Sequence, residues 1–182
     1  MYFSSFPKIQ YDSKGQGNPK VVTNLLKRVA IRAKVKDSAM MYDTYDIRNG
    51  DTPESLADRL YNNSQLHWVI LMTNDITDRY HQWPMYERQF NTYLNEKYDN
   101  PDGVHHYEIS QSSGDTKTKI EVYANEALYT GDTDFYSNAT IITNREYEEG
   151  EQDKKRKIRL LDPSFIDQFV QEFELLMSES PL

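Results

Sequence analysis

Hydrophobic positions along this chain fall into helical spacing in some stretches and into strand-like alternation in others, with polar breaks between them. The broadest stripe lies in "DPSFIDQFVQEFELLM", where Phe165, Ile166, Phe169, Val170, Phe173, Leu176 and Met177 recur three and four residues apart. That spacing gathers them on one face of an α-helix. Asp162 is placed to cap this helix and Pro163 to open its first turn. A second organised stretch is "YDIRNGDTPESLADRLYNNSQLHWVILMTND". Tyr45-Asp46-Ile47 alternates as a short strand does, and Asn49-Gly50 supplies a turn. Asp51 or Thr52 can cap the helix that follows, and Asp51 with Glu54 has capping-box spacing. Leu56 and Leu60 share one face of that helix. After "NNS", Ser64 can cap a second helix. Here Leu66, Val69 and Ile70 form one apolar face, and Trp68, Leu71 and Met72 form another. A helix apolar nearly all round has to be covered nearly all round, so a second layer is required, from this chain or from a partner.

The remaining stretches complete the outline. Residues 1–20 contain Pro7, Gly15, Gly17 and Pro19 and read as an extended arm. Val22, Leu25, Leu26 and Val29 predict a short helix, followed by an extended run to about Val35. Trp83-Pro84 precedes a helix marked by Phe90, Leu94 and Tyr98, which "NPDG" ends. "VHHYEIS", "TKIEVYA" and "ATIITNREY" alternate as short strands. The charged "EYEEGEQDKKRK" reads as a hairpin tip joining the last of these to "KIRLL". The fold class is α+β: a strand–helix–helix module, a helical connector, a small antiparallel sheet and a C-terminal helix. In sequence order this gives an arm with a short helix (1–40), the module with its connecting helix (41–100), and a β region closed by the last helix (101–182).

Composition adds constraints. Of 182 residues, 37% are hydrophobic and 27% charged, which allows a core but not a generous one. The 14 Tyr, 7 Phe and 2 Trp suit interfaces, because Tyr and Trp combine a large apolar ring with a polar tip. Net charge is −8, yet residues 1–40 hold eight Lys or Arg against two Asp. The acidic remainder makes nucleic acid a poor partner. The basic segment suits an acidic protein surface, or is a solvated helix face. No cysteine is present, which excludes disulfides and thiol chemistry. No apolar run reaches the ~18 residues of a membrane span. The opening "MYFSSFPKIQYD" lacks the pattern of a secretory signal, so synthesis in a cytoplasm without export by the general secretory route is expected.

Chemistry-bearing motifs are wanting. His67, His81, His105 and His106 have no metal-site spacing, and adjacent His105 and His106 would point to opposite faces of a strand. The glycines do not form a phosphate loop, and no nucleophile motif occurs. Glu148, Glu149 and Glu151 read as solvated charge in the hairpin tip. The acidic loops "SGDTKT" and "YTGDTDFYSN" do not match an EF-hand. The expectation is a protein with no catalytic site, no metal, no cofactor and no small-molecule substrate, and with neither nucleic acid nor membrane as partner.

Tyr45-x-Ile47-x-x-Gly50-Asp51-Thr52, followed by Leu56-Ala57 and a second helix ending near Asn74, resembles a LysM module, the small βααβ fold that commonly binds N-acetylglucosamine polymers. Beyond Asn74 the likeness departs: "DITDRYHQWPM" is longer and more aromatic than the usual loop. A narrower match covers about Val21 to the C-terminus. "GDTPESLADRLYNNSQLHWVILMTNDITDRYHQWP", "FNTYLNEKY" and "KRKIRLLDPSFIDQFVQEF" resemble the LysM-like baseplate wedge subunit of T-even-type contractile-tailed bacteriophages. The resemblance implies a structural role in the virion tail baseplate, assembled in the host cytoplasm. It implies other wedge subunits and neighbouring wedges as partners, with this subunit clamping the first and helping to join the second. The alternative is a peptidoglycan-binding module, with a groove at Gly50, Asp51, Thr52, Asn74 and Asp75.

The candidate protein-contacting residues are Lys27, Arg28, Arg32, Trp68, Trp83, Phe165, Phe169 and Phe173. Trp68 is expected in the core. Trp83 is expected to seal the module against the following helix or a partner. The C-terminal stripe either packs on the antiparallel sheet or anchors a complex. Removal of residues 1–20 is expected to leave a folded monomer that assembles poorly.

Overall fold

The computed structural model describes residues 2–31, 40–110, 119–123 and 139–178. Two compact units are present. The first comprises Met1–Trp83 and Arg156–Leu182, and the second Pro84–Lys155.

The first unit is built around strand β3 (Tyr42–Asp46), helices α1 (Pro53–Tyr61) and α2 (His67–Thr73), and strand β7 (Lys157–Leu161). β3 and β7 are antiparallel, with Tyr42 opposite Leu161 and Asp46 opposite Lys157. Gly50 adopts φ +94°, a turn conformation that side chains other than glycine's rarely accept. The cap of α1 is Thr52, whose hydroxyl accepts from Ser55 N while the Ser55 hydroxyl accepts from Thr52 N. Asp51 is therefore not the cap, and the box closes on Ser55 rather than Glu54. Asn63, not Ser64, caps the short 3-10 turn that leads into α2. A four-residue helix α3 (Arg79–Gln82), capped by Asp78, has no apolar periodicity and was not expected.

α2 is the wall between two apolar clusters. Trp68 and Val69 face one side, with Leu66 and Met72 beside them. Ile70 faces the other, with Leu71 beside it. The second cluster gathers Ile47, Leu56, Ala57, Trp83, Ile158 and Leu160 around Ile70. The first joins Phe6, Tyr42, Leu161, Phe173 and Met177 to Trp68 and Val69. The cover required by an all-round apolar helix thus comes from this chain.

Helix α6 (Ile166–Ser178) follows a short 3-10 turn capped by Asp162, with Pro163 at its start. It packs on Trp68, on the β3–β7 pair and on the N-terminal segment, so a sheet alone does not account for its stripe. The segment 1–20 is not a free arm: Tyr2–Ser5 forms a 3-10 turn and Phe6 is buried against the α6 side of the core. Nor do Val22–Val29 form a helix. Strands β1 (Lys8–Tyr11) and β2 (Lys20–Thr23) pair as an antiparallel ribbon instead. Asp12 folds its connection, accepting from the N–H groups of Lys14 and Gly17. Gly15 and Gly17 there take φ +64° and +77°.

The second unit contains helix α4 (Glu87–Lys97), a three-stranded sheet ordered β5-β4-β6 (Lys119–Tyr123, Val104–Ser110, Thr140–Thr143) and helix α5 (Asn144–Arg156). Phe90 and Leu94 are buried as their spacing predicts. The hairpin expected between "ATIITNREY" and "KIRLL" does not exist. "NREYEEGEQDKKR" is helical, β6 pairs with β4, and "KIRLL" pairs with β3. The order of charge that suggested a hairpin tip, acidic first and basic last, also complements a helix dipole. Glu146 adds an N-terminal cap by accepting from Thr143 N and its hydroxyl.

Candidate protein interface

The first unit brings together residues from three distant parts of the sequence. The Phe173 ring lies 4.5 Å from Trp68 and 5.5 Å from Tyr2. Trp68 also meets Phe169 at 6.1 Å, and Tyr2 meets Phe6 edge-on at 5.0 Å. Burial raises the Tyr2 phenol above its ordinary pKa, and nearby Arg28 only partly offsets this. Two polar links tie the same segments. Lys27 Nζ donates to the Met177 carbonyl at 2.9 Å, and the Ser5 hydroxyl donates to Glu174 at 3.3 Å. A cation at the last carbonyls of a helix compensates groups that have no partner within it. Lys27 therefore serves α6 of its own chain.

Around these links the surface is apolar. Leu26 is 90% exposed and Leu175 60% exposed, with Phe3 and Leu25 also open to solvent. A groove of about 250 Å³ runs between Val29–Ile31, Met72 and the Phe169–Phe173–Leu176 side of α6, with Glu172 on its rim. Of the expected contact residues, Trp68 and Phe173 are in the core, while Phe165 and Phe169 pack half-buried against it. Arg28 is exposed. Arg32, with Lys34 and Lys36, lies outside the described residues. The open leucines were not singled out from the sequence, where Leu25 and Leu26 were assigned to a helix stripe.

Trp83 lies in the other cluster, and its indole N–H donates to the Asp51 carbonyl at 3.0 Å. The strand–helix–helix–strand arrangement uses its polar loop residues internally. Burial raises the Asp51 carboxyl, but hydrogen bonds from Tyr45, Arg48 N and Arg59 outweigh it and hold the group below its usual pKa. The Thr52 hydroxyl caps α1. Asn74 grips β7: its Nδ2 donates to the carbonyls of Ile70 and Arg159, and its Oδ1 accepts from Arg159 N, each at 2.8 Å. Asp75 adopts φ +55° and is exposed. Tyr61 donates to the Leu161 carbonyl at 2.9 Å; burial is the main cause that pushes its phenol up to about 12.

These are scaffold uses. They present an apolar, weakly concave surface on a fixed frame, which suits protein contact. Two comparisons bear on what kind of protein this is. Residues 1–176 match the family described as base plate wedge protein 53.

The chain belongs to that family. It is also 27% identical to "Baseplate wedge protein gp53" of Enterobacteria phage T4 over 203 aligned positions, covering 99% of this chain and 97% of the relative. The resemblance to T-even-type wedge subunits is borne out by both matches, and the α+β class by the fold.

In the second unit the polar residues also meet one another. Glu148 is buried and accepts from Lys97 at 2.6 Å, Tyr98 at 2.8 Å and Tyr93 at 3.3 Å. Burial raises its carboxyl, but these donors outweigh it, and the net shift is downward. Lys97 is raised, first by its bond to Glu148 and then by Tyr93. Glu148 is thus not the solvated charge expected of a hairpin tip. His105 and His106 do not diverge either. A β-bulge between Val104 and His106 turns both rings to one side, with their Nδ1 atoms 2.8 Å apart and His105 stacked on Tyr147. Among the described residues no group of three or more His, Asp or Glu is placed to hold a metal. The loops "SGDTKT" and "YTGDTDFYSN" both lie outside the described residues.

Proposed function

We propose that this protein is a structural component of a phage tail baseplate wedge. It clamps other wedge subunits and helps neighbouring wedges join, assembles with them in the host cytoplasm, remains in the virion tail, and acts without catalysis. The coarse role is supported by the family match over 1–176. The docking role is carried by one observation: apolar side chains stay open beside a core that the chain has already completed. Leu25 and Leu26 precede Lys27, and Leu175 and Leu176 precede Met177, so both groups flank the Lys27–Met177 bond. Exposed aliphatic side chains on a rigid frame favour burial by a partner at roughly 25 cal/mol per Å² of apolar area.

The test is complementation. Phage lacking this protein would be grown in cells supplying the chain with Leu26→Asp and Leu175→Asp. Retained folding with loss of tail incorporation is expected. Wild-type incorporation would overturn the docking role. The alternative of sugar binding has less support, because Asp51, Thr52 and Asn74 are engaged within the fold. Calorimetry with chitin oligomers is expected to show no heat of binding.

A further inference from the structure

The β1–β2 ribbon is peculiar within the first unit. Every residue of both strands is exposed. The strands pair only with each other among the described residues, which leaves the outer edge of each open. A two-stranded ribbon with no layer against it is at best marginally stable in water. Open edges offer N–H and C=O groups to any extended chain.

The register shows what the ribbon presents. Ile9 stands opposite Val22, and Tyr11 opposite Lys20. Alternation puts these four on one face, and Lys8, Gln10, Val21 and Thr23 on the other. Tyr11 is 57% and Val21 66% exposed, so neither face is fully covered by the described residues. The root of the ribbon, by contrast, is fixed. Asn24 N donates to the Pro7 carbonyl at 2.8 Å, and Phe6 is buried in the core. The ribbon is thus anchored at its root, and a partner need not supply the ordering of that part.

Charge narrows the occupant. Between residues 8 and 20 stand Lys8, Lys14 and Lys20 against Asp12, in a chain whose net charge is −8. Lysines at both ends of an open ribbon discourage pairing with neutral or basic strands and admit an acidic one. We propose that the β1–β2 ribbon is a strand-addition site for an extended segment of another baseplate protein, one that carries carboxylates and alternating apolar residues. Main-chain hydrogen bonds supply the attachment, and the lysines and the Ile9–Val22 face supply selection. This rests on the baseplate reading above and adds the chemistry of the partner.

Hydrogen–deuterium exchange of residues 8–23 tests it, measured on the free chain and on purified tails. The free ribbon is expected to exchange quickly, and in tails at least tenfold more slowly. A Lys8→Glu and Lys20→Glu chain is expected to melt as the parent does but to enter tails at less than a tenth of its level. Equal exchange in both states, or full incorporation of the charge-reversed chain, would overturn the proposal. Protection in the free chain that grows with concentration would assign the ribbon to a second copy and overturn it too. A chain absent from tails would sink the baseplate reading itself. A chain present with an unprotected ribbon would sink this proposal alone.

Discussion

The aromatic cluster of the first unit and the Glu148 knot of the second solve the same problem with opposite chemistry. Around Trp68 and Phe173, segments far apart in sequence are held by ring contacts and buried area. Around Glu148, helices α4 and α5 are held by one carboxylate with three donors. The first is non-directional and insensitive to acid. The second depends on geometry and on ionisation, because a buried carboxylate is tolerated only while its donors are in place. Ring burial suits the joining of segments that are distant in sequence. A polar knot suits a local join of two helices.

Phe173→Ala removes a ring that touches Trp68 and Tyr2, and should cost about 3–5 kcal/mol in urea unfolding, the largest expected effect. Glu148→Gln should cost roughly 1–3 kcal/mol at neutral pH. Its pH dependence sharpens the contrast. The folded carboxyl is depressed, so its contribution is present above the unfolded pKa of about 4.3 and is lost as pH falls through the lower folded value. Parent and Glu148→Gln should therefore converge in acid. A Phe173→Ala difference should persist there.

Asn74→Ala should cost roughly 1–3 kcal/mol, since it strips both backbone groups of Arg159 of a partner. The Arg159 amide should exchange faster in that variant. The smallest effect is a gain. Gly150 lies inside α5 with open space where a Cβ would sit, so Gly150→Ala should stabilise by about 0.5–1 kcal/mol in thermal melts.

Much of the first unit was legible in the sequence. The α6 stripe, the Gly50 turn, the cap near Thr52 and the need to cover both sides of α2 follow from local spacing and turn chemistry. The identity of the cover did not. Tyr45 and Ile158 are neighbours across β3 and β7, yet an entire unit lies between them in sequence, and no local pattern encodes that pairing. Helix α5 was hidden because its apolar content is low and its charge order suits a hairpin tip as well as a dipole. The ribbon was hidden because an eight-residue connection separates two short strands, and the apolar residues of β2 continue into Leu25 and Leu26 at helical spacing. The bulge that brings His105 beside His106 leaves no residue signature in "VHHYEIS". The proposed docking surface was legible only as composition: aromatic abundance suggested interfaces, but its most open side chain is Leu26, at 90%.

The amount of this protein in purified tails, with Leu26→Asp and Leu175→Asp introduced together, reports whether these leucines dock a partner. Both side chains are exposed, so the unfolding midpoint should match the parent. Tail incorporation should drop at least tenfold at an unchanged midpoint. Parental incorporation at that midpoint would contradict docking through them.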